Sequence, residues 1–278
     1  MHRDYLVIGH ITQDIYPGGN KIGGTVTYSA LTARNLGHKT RILTCSGPDL
    51  DLNRLPDDLA IISHMSETST TFENIYHEGH RRQFIRERAR PLDRADVPQE
   101  WMSSSIVHLG PLDQEMSEDI VDCFPDALLG VTPQGWMRAW DEQGLIHPAL
   151  WAPSDALLRR ADAIILSEED VGGDVALIKS YAARTRVLVL TAGWKGSTVY
   201  YEDQIRSFPS PQVSELDPTG AGDIFAAAFL SALHTTRNPW LSAQFANCVA
   251  AHSVERSGLE SIPTGQEIKN CRSLFMLA

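Results

Sequence analysis

Five short apolar runs restrict what this chain can fold into: Leu6-Val7-Ile8-Gly9, Arg41-Ile42-Leu43-Thr44, Ile106-Val107-His108-Leu109-Gly110, Ala163-Ile164-Ile165-Leu166-Ser167 and Val187-Leu188-Val189-Leu190-Thr191. Strands that are apolar at consecutive positions are covered on both faces, which is the pattern of a mainly parallel sheet. Helical patterns lie between them. Val26, Ala30, Ala33 and Leu36 form one apolar stripe that stops at Gly37, the position of a helix C-cap. The alternation predicts a doubly wound α/β fold with helices flanking the sheet. With 278 residues, 42% of them hydrophobic, the chain can bury a large core, and it reads as a single domain over 1–278.

Two segments break the rhythm. Thr71 to Ile85 reads as a polar hairpin turning at Glu78-Gly79, a flap and not core; Ser197 to Tyr201 and Gln204 to Phe208 read as a second hairpin around Glu202-Asp203. A small β lid is expected from about 10–22 and 68–90. Its residues Phe72, Ile75, Tyr76 and Phe84 either cover a cleft or pair with a twin lid in a homodimer.

The formal net charge of −11 excludes nucleic acid and anionic membrane as main partners, because both repel a uniformly acidic surface. Cys45, Cys123, Cys248 and Cys271 are far apart, without a Cys-x-x-Cys pair or histidines at zinc-finger spacing, so reduced thiols are expected and neither disulfide nor structural zinc. Tyr5-Leu6-Val7-Ile8 is too short for a signal sequence, and no apolar run reaches membrane-spanning length. A cytoplasmic location is the expectation.

The stretch that carries chemistry is Asp217-Pro218-Thr219-Gly220-Ala221-Gly222-Asp223, which opens into the hydrophobic helix Ile224 to Leu230. Glycines let backbone approach a ligand closely, and the free N–H groups and positive dipole end of a helix starting at or near Asp223 favour an anion. Gly220, Ala221 and Gly222 can therefore form an anion hole. At the same helix end, Asp223 can accept a proton from an attacking hydroxyl. The same letters also describe an ordinary turn with an ordinary N-cap, and local geometry leaves both readings open.

As a whole, this stretch resembles the carboxy-terminal signature of the ribokinase-like (PfkB) carbohydrate kinases, usually Asp-Thr-x-Gly-Ala-Gly-Asp, with Pro218 in place of the frequent threonine. The resemblance implies an ATP-dependent kinase that phosphorylates a hydroxyl of a small sugar or polyol, with Asp223 as catalytic base and Thr219 on the nucleotide side. It extends in order over nearly the whole chain. Asp14, in Gly9-His10-Ile11-Thr12-Gln13-Asp14, would hold substrate hydroxyls, and Gly23-Gly24 would let substrate lie against backbone. Ser167-Glu168-Glu169-Asp170 resembles the family's Asn-x-x-Glu element, with Ser167 for asparagine and Asp170 for glutamate; Glu169 and Asp170 would organise Mg2+ through water, or be solvated helix-start acids. Gly193, Lys195 and Gly196 resemble the nucleotide-side glycine loop. The helix Pro239 to Glu255, introduced by Asn238 and followed by Gly258, would flank the adenine with Asn247 as a base contact. Among Arg81, Arg82, Arg86, Arg88 and Arg90, most are expected to be solvated and Arg82 to face substrate when the flap closes; Arg138 would reach the cleft mouth.

The Leu109-Gly110-Pro111-Leu112 turn and Gln134-Gly135-Trp136-x-Arg138 look most like the inositol-kinase branch; furanose, hexose and nucleoside acceptors stay open. A nicotinamide-dependent oxidoreductase is opposed by the lack of Gly-x-Gly-x-x-Gly after the first strand. A non-catalytic sugar or nucleotide sensor on the same fold is the other alternative, raised by the altered magnesium element and opposed by the intact Asp223.

Overall fold

All five apolar runs become strands of one sheet. The computed structural model describes residues 4–16, 18–77 and 80–277. Its strands are β1 (Asp4–Ile8), β2 (Thr12–Tyr16), β3 (Gly19–Gly23), β4 (Lys39–Ser46), β5 (Ala60–Met65), β6 (Thr71–His77), β7 (His80–Glu87), β8 (Ile106–Leu109), β9 (Leu128–Val131), β10 (Arg138–Trp140), β11 (Ile146–Pro148), β12 (Ala163–Ser167), β13 (Val187–Thr191), β14 (Ser197–Tyr201) and β15 (Gln204–Phe208). Its helices are α1 (Thr25–Asn35), α2 (Asp155–Arg160), α3 (Val175–Ala182), α4 (Ala221–Thr236), α5 (Pro239–Ala251) and α6 (Gly265–Leu274).

The nine-stranded sheet has the order β15-β14-β13-β12-β9-β8-β1-β4-β5. From β13 to β5 all pairings are parallel, and β14 and β15 close one edge as an antiparallel hairpin. After β1 the chain builds outward through β4 and β5, then returns to add β8 and its successors on the other side. The crevice beyond the carboxyl ends of β1 and β8 is therefore a topological switch point, where ligands bind in open α/β sheets. Buried side chains from α1, α4, α5 and α6 fill one face of the sheet, and those from α2, α3 and the segments around Leu92–Phe124 fill the other. From Ile224 to Leu233 every residue of α4 is buried, which fits a helix that is apolar all round.

A second sheet, β3-β2-β6-β7, stands off the first. The flap hairpin forms as expected, with His77 paired to His80; Glu78 and Gly79 lie outside the described residues. Phe72, expected at the surface, is instead 2% exposed and packs with Ile85 and Leu112, because its side of the sheet faces the 110–116 loop. Ile75 is exposed, Phe84 is half-buried, and the Tyr76 side chain lies outside the described residues.

The second predicted hairpin forms as the antiparallel edge of the main sheet. Its turn residues Glu202 and Asp203 have φ of 47° and 59°, the left-handed pair that a tight two-residue hairpin requires. The helix expected over Pro239 to Glu255 is α5 followed by a separate 3₁₀ turn, Ser253–Glu255. Reduced thiols at all four cysteines are also corrected: Cys248 and Cys271 form a disulfide with Cα atoms 5.9 Å apart. Packing of α6 on α5 makes this pair, and a separation of 23 residues does not announce it. Cys45 and Cys123 are buried free thiols. Among the described residues, no helix is long and apolar enough to cross a membrane.

Candidate active site

The Asp217–Asp223 turn delivers the amino terminus of α4 to the switch point. Gly220 caps the helix with φ 80°, and a side chain there would collide with the ring of Tyr28, so both backbone and space demand glycine. The first bond of the helix ladder runs from Ile224 N–H to Gly220 O, 2.9 Å, so the N–H groups of Gly222 and Asp223 precede it and point out of the helix end. Ala221 differs from the expectation for the anion hole, because its N–H already donates to Pro218 O at 3.1 Å. The turn is anchored at its start by Leu216 and Asp217, whose N–H groups donate to Val254 O at 2.7 and 3.1 Å, and by Asp217 Oδ1, which accepts Thr219 N–H at 3.0 Å.

Asp223 is half-buried in the first turn of α4. Burial, seconded by the charge of Asp170, pushes its carboxyl up to about 6; a hydrogen bond with Thr25 and the charge of Arg138 oppose that rise. Arg138 and Asp170 are thus both brought to Asp223, from different elements. Arg82 is not brought there in this structure: it is exposed on β7 with its guanidinium 5.5 Å from the Phe84 ring centroid. Arg86 pairs with Glu73, Arg88 with Asp113 and Arg90 with Asp96, while the Arg81 side chain lies outside the described residues.

On the side of the small sheet, Asp14 projects from β2 within 3.5 Å of the Thr12 hydroxyl. A side chain at Gly23 would run into the Asp14 carboxylate, and one at Gly24, with φ 94°, would meet His10 O at 2.7 Å. The two glycines therefore keep space open beside Asp14. Tyr28 was not singled out from the sequence. Burial first, then the charges of Asp14, Asp223 and Asp217, push its hydroxyl pKa up, so this one phenol faces three carboxylates.

On the other side of the α4 terminus lies a cleft between the Gly193–Gly196 turn, the 210–215 segment and α5. Gly193, Gly196 and Asn247 line it as expected, but the Asn247 amide already donates to Phe208 O at 3.0 Å. Lys195 turns away to Glu168, Nζ to Oε2 3.5 Å. The feature missed from the sequence is Trp194, which lines the cleft and is 68% exposed; a large apolar side chain in a glycine-flanked turn was the available signal.

The Ser167–Asp170 turn closes on itself, with Asp170 Oδ2 accepting Ser167 N–H at 2.9 Å and Ser167 Oγ accepting the N–H groups of Glu169 and Asp170. One carboxylate oxygen of Asp170 is thereby committed. The second oxygen and the exposed Glu169 are hard oxygen donors of the kind magnesium accepts, and the engaged Oδ2 favours contact through water over direct ligation.

Beneath Asp14, a charge network centred on buried His10, Asp113 and Glu115 ties the small sheet to the large one. His10 Nε2 donates to Arg90 O at 3.0 Å, and its Nδ1 lies 2.7 Å from Thr70 Oγ1 and 3.5 Å from Asp113 Oδ1. Glu115 accepts N–H bonds from His10, Leu112 and Asp113, and Arg88 Nε donates to Asp113 Oδ2 at 3.0 Å. Burial alone depresses an imidazolium, but the hydrogen bond and charge of Asp113, with the charge of Glu115, hold His10 at about 10. For Asp113, burial is likewise outweighed by His10, and its pKa is lowered. Glu115, buried beside Asp113, is pushed up to about 7.

Known proteins resemble this chain in sequence and in fold. Residues 157–265, which contain the α4 turn, match the profile described as pfkB family carbohydrate kinase. Over that stretch the chain is similar to the pfkB family carbohydrate kinases. Over a longer span it is similar to a cytidine kinase from Thermococcus kodakarensis, 24% identical across 82% of this chain and 87% of that protein. It is also similar to a fructokinase from Escherichia coli, 28% identical across 52% of this chain and 51% of that one. Among solved structures, a pyrophosphate-dependent kinase in the ribokinase family superposes with TM-score 0.81 at 21% identity, covering 95% of this chain and 99% of that chain. A ribokinase from Thermotoga maritima gives TM-score 0.74 at 18% identity over 96% and 99%. The fold is that of the ribokinase family.

Proposed function

We propose that this protein transfers the terminal phosphoryl group of ATP to a hydroxyl of a small neutral sugar or polyol, an inositol-like polyol being favoured. The observation that carries the reading is Asp223 at the amino terminus of α4, with Asp14 and Gly23–Gly24 to one side and the cleft lined by Trp194 to the other. The acceptor oxygen bonds to phosphorus as its proton passes to Asp223. The bond from phosphorus to the leaving diphosphate breaks, and its electron pair stays on the diphosphate oxygen. The Gly222 N–H and the dipole of α4 face the charge that builds on the transferred group. Magnesium, when bound, would neutralise phosphate charge, held through water by Asp170 and Glu169.

ATP is favoured over pyrophosphate because the donor cleft continues beyond the anion site into the walls of Trp194, Pro211, Val213 and Ala250, surface that a bare pyrophosphate would not use. A neutral acceptor is favoured because Asp14, Asp217 and Asp223 surround Tyr28, with Arg138 as the counter-charge at Asp223. Likeness to a pyrophosphate-dependent kinase whose structure was solved with myo-inositol supports the polyol.

The test is an assay of phosphoryl transfer crossing ATP and pyrophosphate with inositols, ribose, fructose and nucleosides. Turnover of myo-inositol with ATP is expected. Fastest turnover of a nucleoside would replace the acceptor, and turnover with pyrophosphate alone would replace the donor. Binding without turnover on the whole panel would make the protein a sensor.

Two further results are expected from the same assay. With a base titrating at about 6, kcat/KM should fall about tenfold per pH unit below that value and level off above it; a flat profile down to pH ~5 would remove Asp223 as base. Trp194→Ala should weaken ATP binding roughly tenfold, since stacking of a base on an aromatic ring is worth about 1–3 kcal/mol, with the acceptor KM little changed. Unaltered ATP affinity would move the base elsewhere.

A further inference from the structure

The end of α5 and the face of α6 place three metal-binding side chains together, none of which lines the cleft beside α4. Cys248 and His252 are four residues apart, and His252 keeps helical dihedrals at the C-cap of α5, so both side chains leave the same face. Cys271 of α6 meets them there. One ligand atom from each of the three lies within 4.8 Å of the others.

We infer that, once the Cys248–Cys271 disulfide is reduced, Cys248, His252 and Cys271 form a zinc site. Two-electron reduction by a dithiol adds two protons and yields two thiols. Zinc binding then releases both protons and gives a dithiolate–imidazole complex. Disulfide and metal are mutually exclusive states of the same pair.

The surroundings fit zinc. A tetrahedral ion with Zn–S of about 2.3 Å and Zn–N of about 2.0 Å spaces its ligand atoms by roughly 3.5–3.8 Å, so the sulfurs need only side-chain rotation to part. Two thiolates neutralise the dication, which suits cysteines 5% and 0% exposed. His252 is 33% exposed and leaves a route for the ion and a fourth, water position. The Glu255 carboxylate stands 3.8 Å from His252 Nδ1, in place to orient the ring as carboxylates do for metal-ligating histidines. Arg256, the nearby cation, is engaged by Glu267 at 2.8 and 3.0 Å. Thiolate with imidazole selects zinc over the hard cations that the active-site carboxylates suit.

The test needs no kinase activity and so stands or falls separately from the proposed function. The full chain is reduced with a phosphine under argon and titrated with cobalt(II) chloride. One equivalent should bind, with a thiolate-to-cobalt charge-transfer band and tetrahedral visible bands that zinc chloride abolishes; the oxidised chain should show neither. Cys248→Ser and Cys271→Ser should lose the charge-transfer band of the paired thiolates, and His252→Ala should weaken binding by more than about tenfold. Absence of the band in the reduced chain, binding by the oxidised chain, or a titration unchanged by His252→Ala overturns the site. A chain that unfolds on reduction also overturns it, because the cysteines then serve only as a staple.

Discussion

Asp223→Asn is expected to lower turnover by about three orders of magnitude or more while ATP still raises the melting temperature. Asparagine preserves the size of the side chain and its place in the first turn of α4, but it cannot take the proton of the attacking hydroxyl. Loss of positioning in the transition state adds to the loss of the base. The donor cleft should be spared, since its lining comes from the Gly193–Gly196 turn, the 210–215 segment and α5. The variant should also not lose stability. Asp223 is raised from 3.8 to about 6 on folding, so the folded state binds the proton more tightly than the unfolded one between those values. Stability contributed by that proton is present at low pH and lost as pH rises through about 6. At pH 7 the ionised side chain is thus a net cost to the ligand-free protein, and asparagine removes it. A ligand-free melting temperature equal to or above wild type, with turnover nearly abolished, separates a catalytic role from a structural one. Near-normal turnover would sink the mechanism, and loss of the ATP-induced shift would assign Asp223 to donor binding instead.

Sequence patterning exposed the main sheet because its strands are buried on both faces, and uninterrupted apolar runs mark such strands without help from tertiary contacts. The α4 turn was legible for a related reason: Gly220 takes a φ of 80° hard against the Tyr28 ring, so the constraint is written into residue type. Trp194 and Tyr28 escaped because each acts through a partner brought up by the fold, the former through α5 across the cleft and the latter through carboxylates on β2 and the α4 turn. Phe72 escaped for the converse reason. Its hairpin looks polar along the chain, and only the 110–116 loop lying against it makes that position a core. Lys195 shows the limit of motif reading, since a flexible ammonium beside Glu168 takes the ion pair at hand.

His10 and Asp113 were equally invisible in the sequence, and Asp113→Ala is the substitution expected to cost most in stability, about 3–5 kcal/mol in urea unfolding at pH 7. Asp113 is 1% exposed and faces both His10 and Arg88, so its removal leaves the buried imidazolium with Glu115 alone as its counter-charge. The pH dependence of the wild type follows from the same pair. His10 is raised from 6.5 to about 10, so its contribution is complete below 6.5 and is lost as pH rises through about 10. Asp113 is lowered from 3.8, so its contribution is present above 3.8 and is lost as pH falls through its folded value. The gap between wild type and Asp113→Ala should therefore be widest between these limits and narrow on either side. A loss under about 1 kcal/mol at pH 7, or a gap that does not narrow near pH 10, would show that the network is dispensable. The connections it joins are the segment from β1 into β2, Thr70 before β6 and Arg88–Arg90 after β7, which together carry the small sheet bearing Asp14. In the milder Asp113→Asn, which keeps the shape, a raised acceptor KM with an unchanged ATP-induced shift would place the effect at this hinge, because the donor cleft shares no residue with the network.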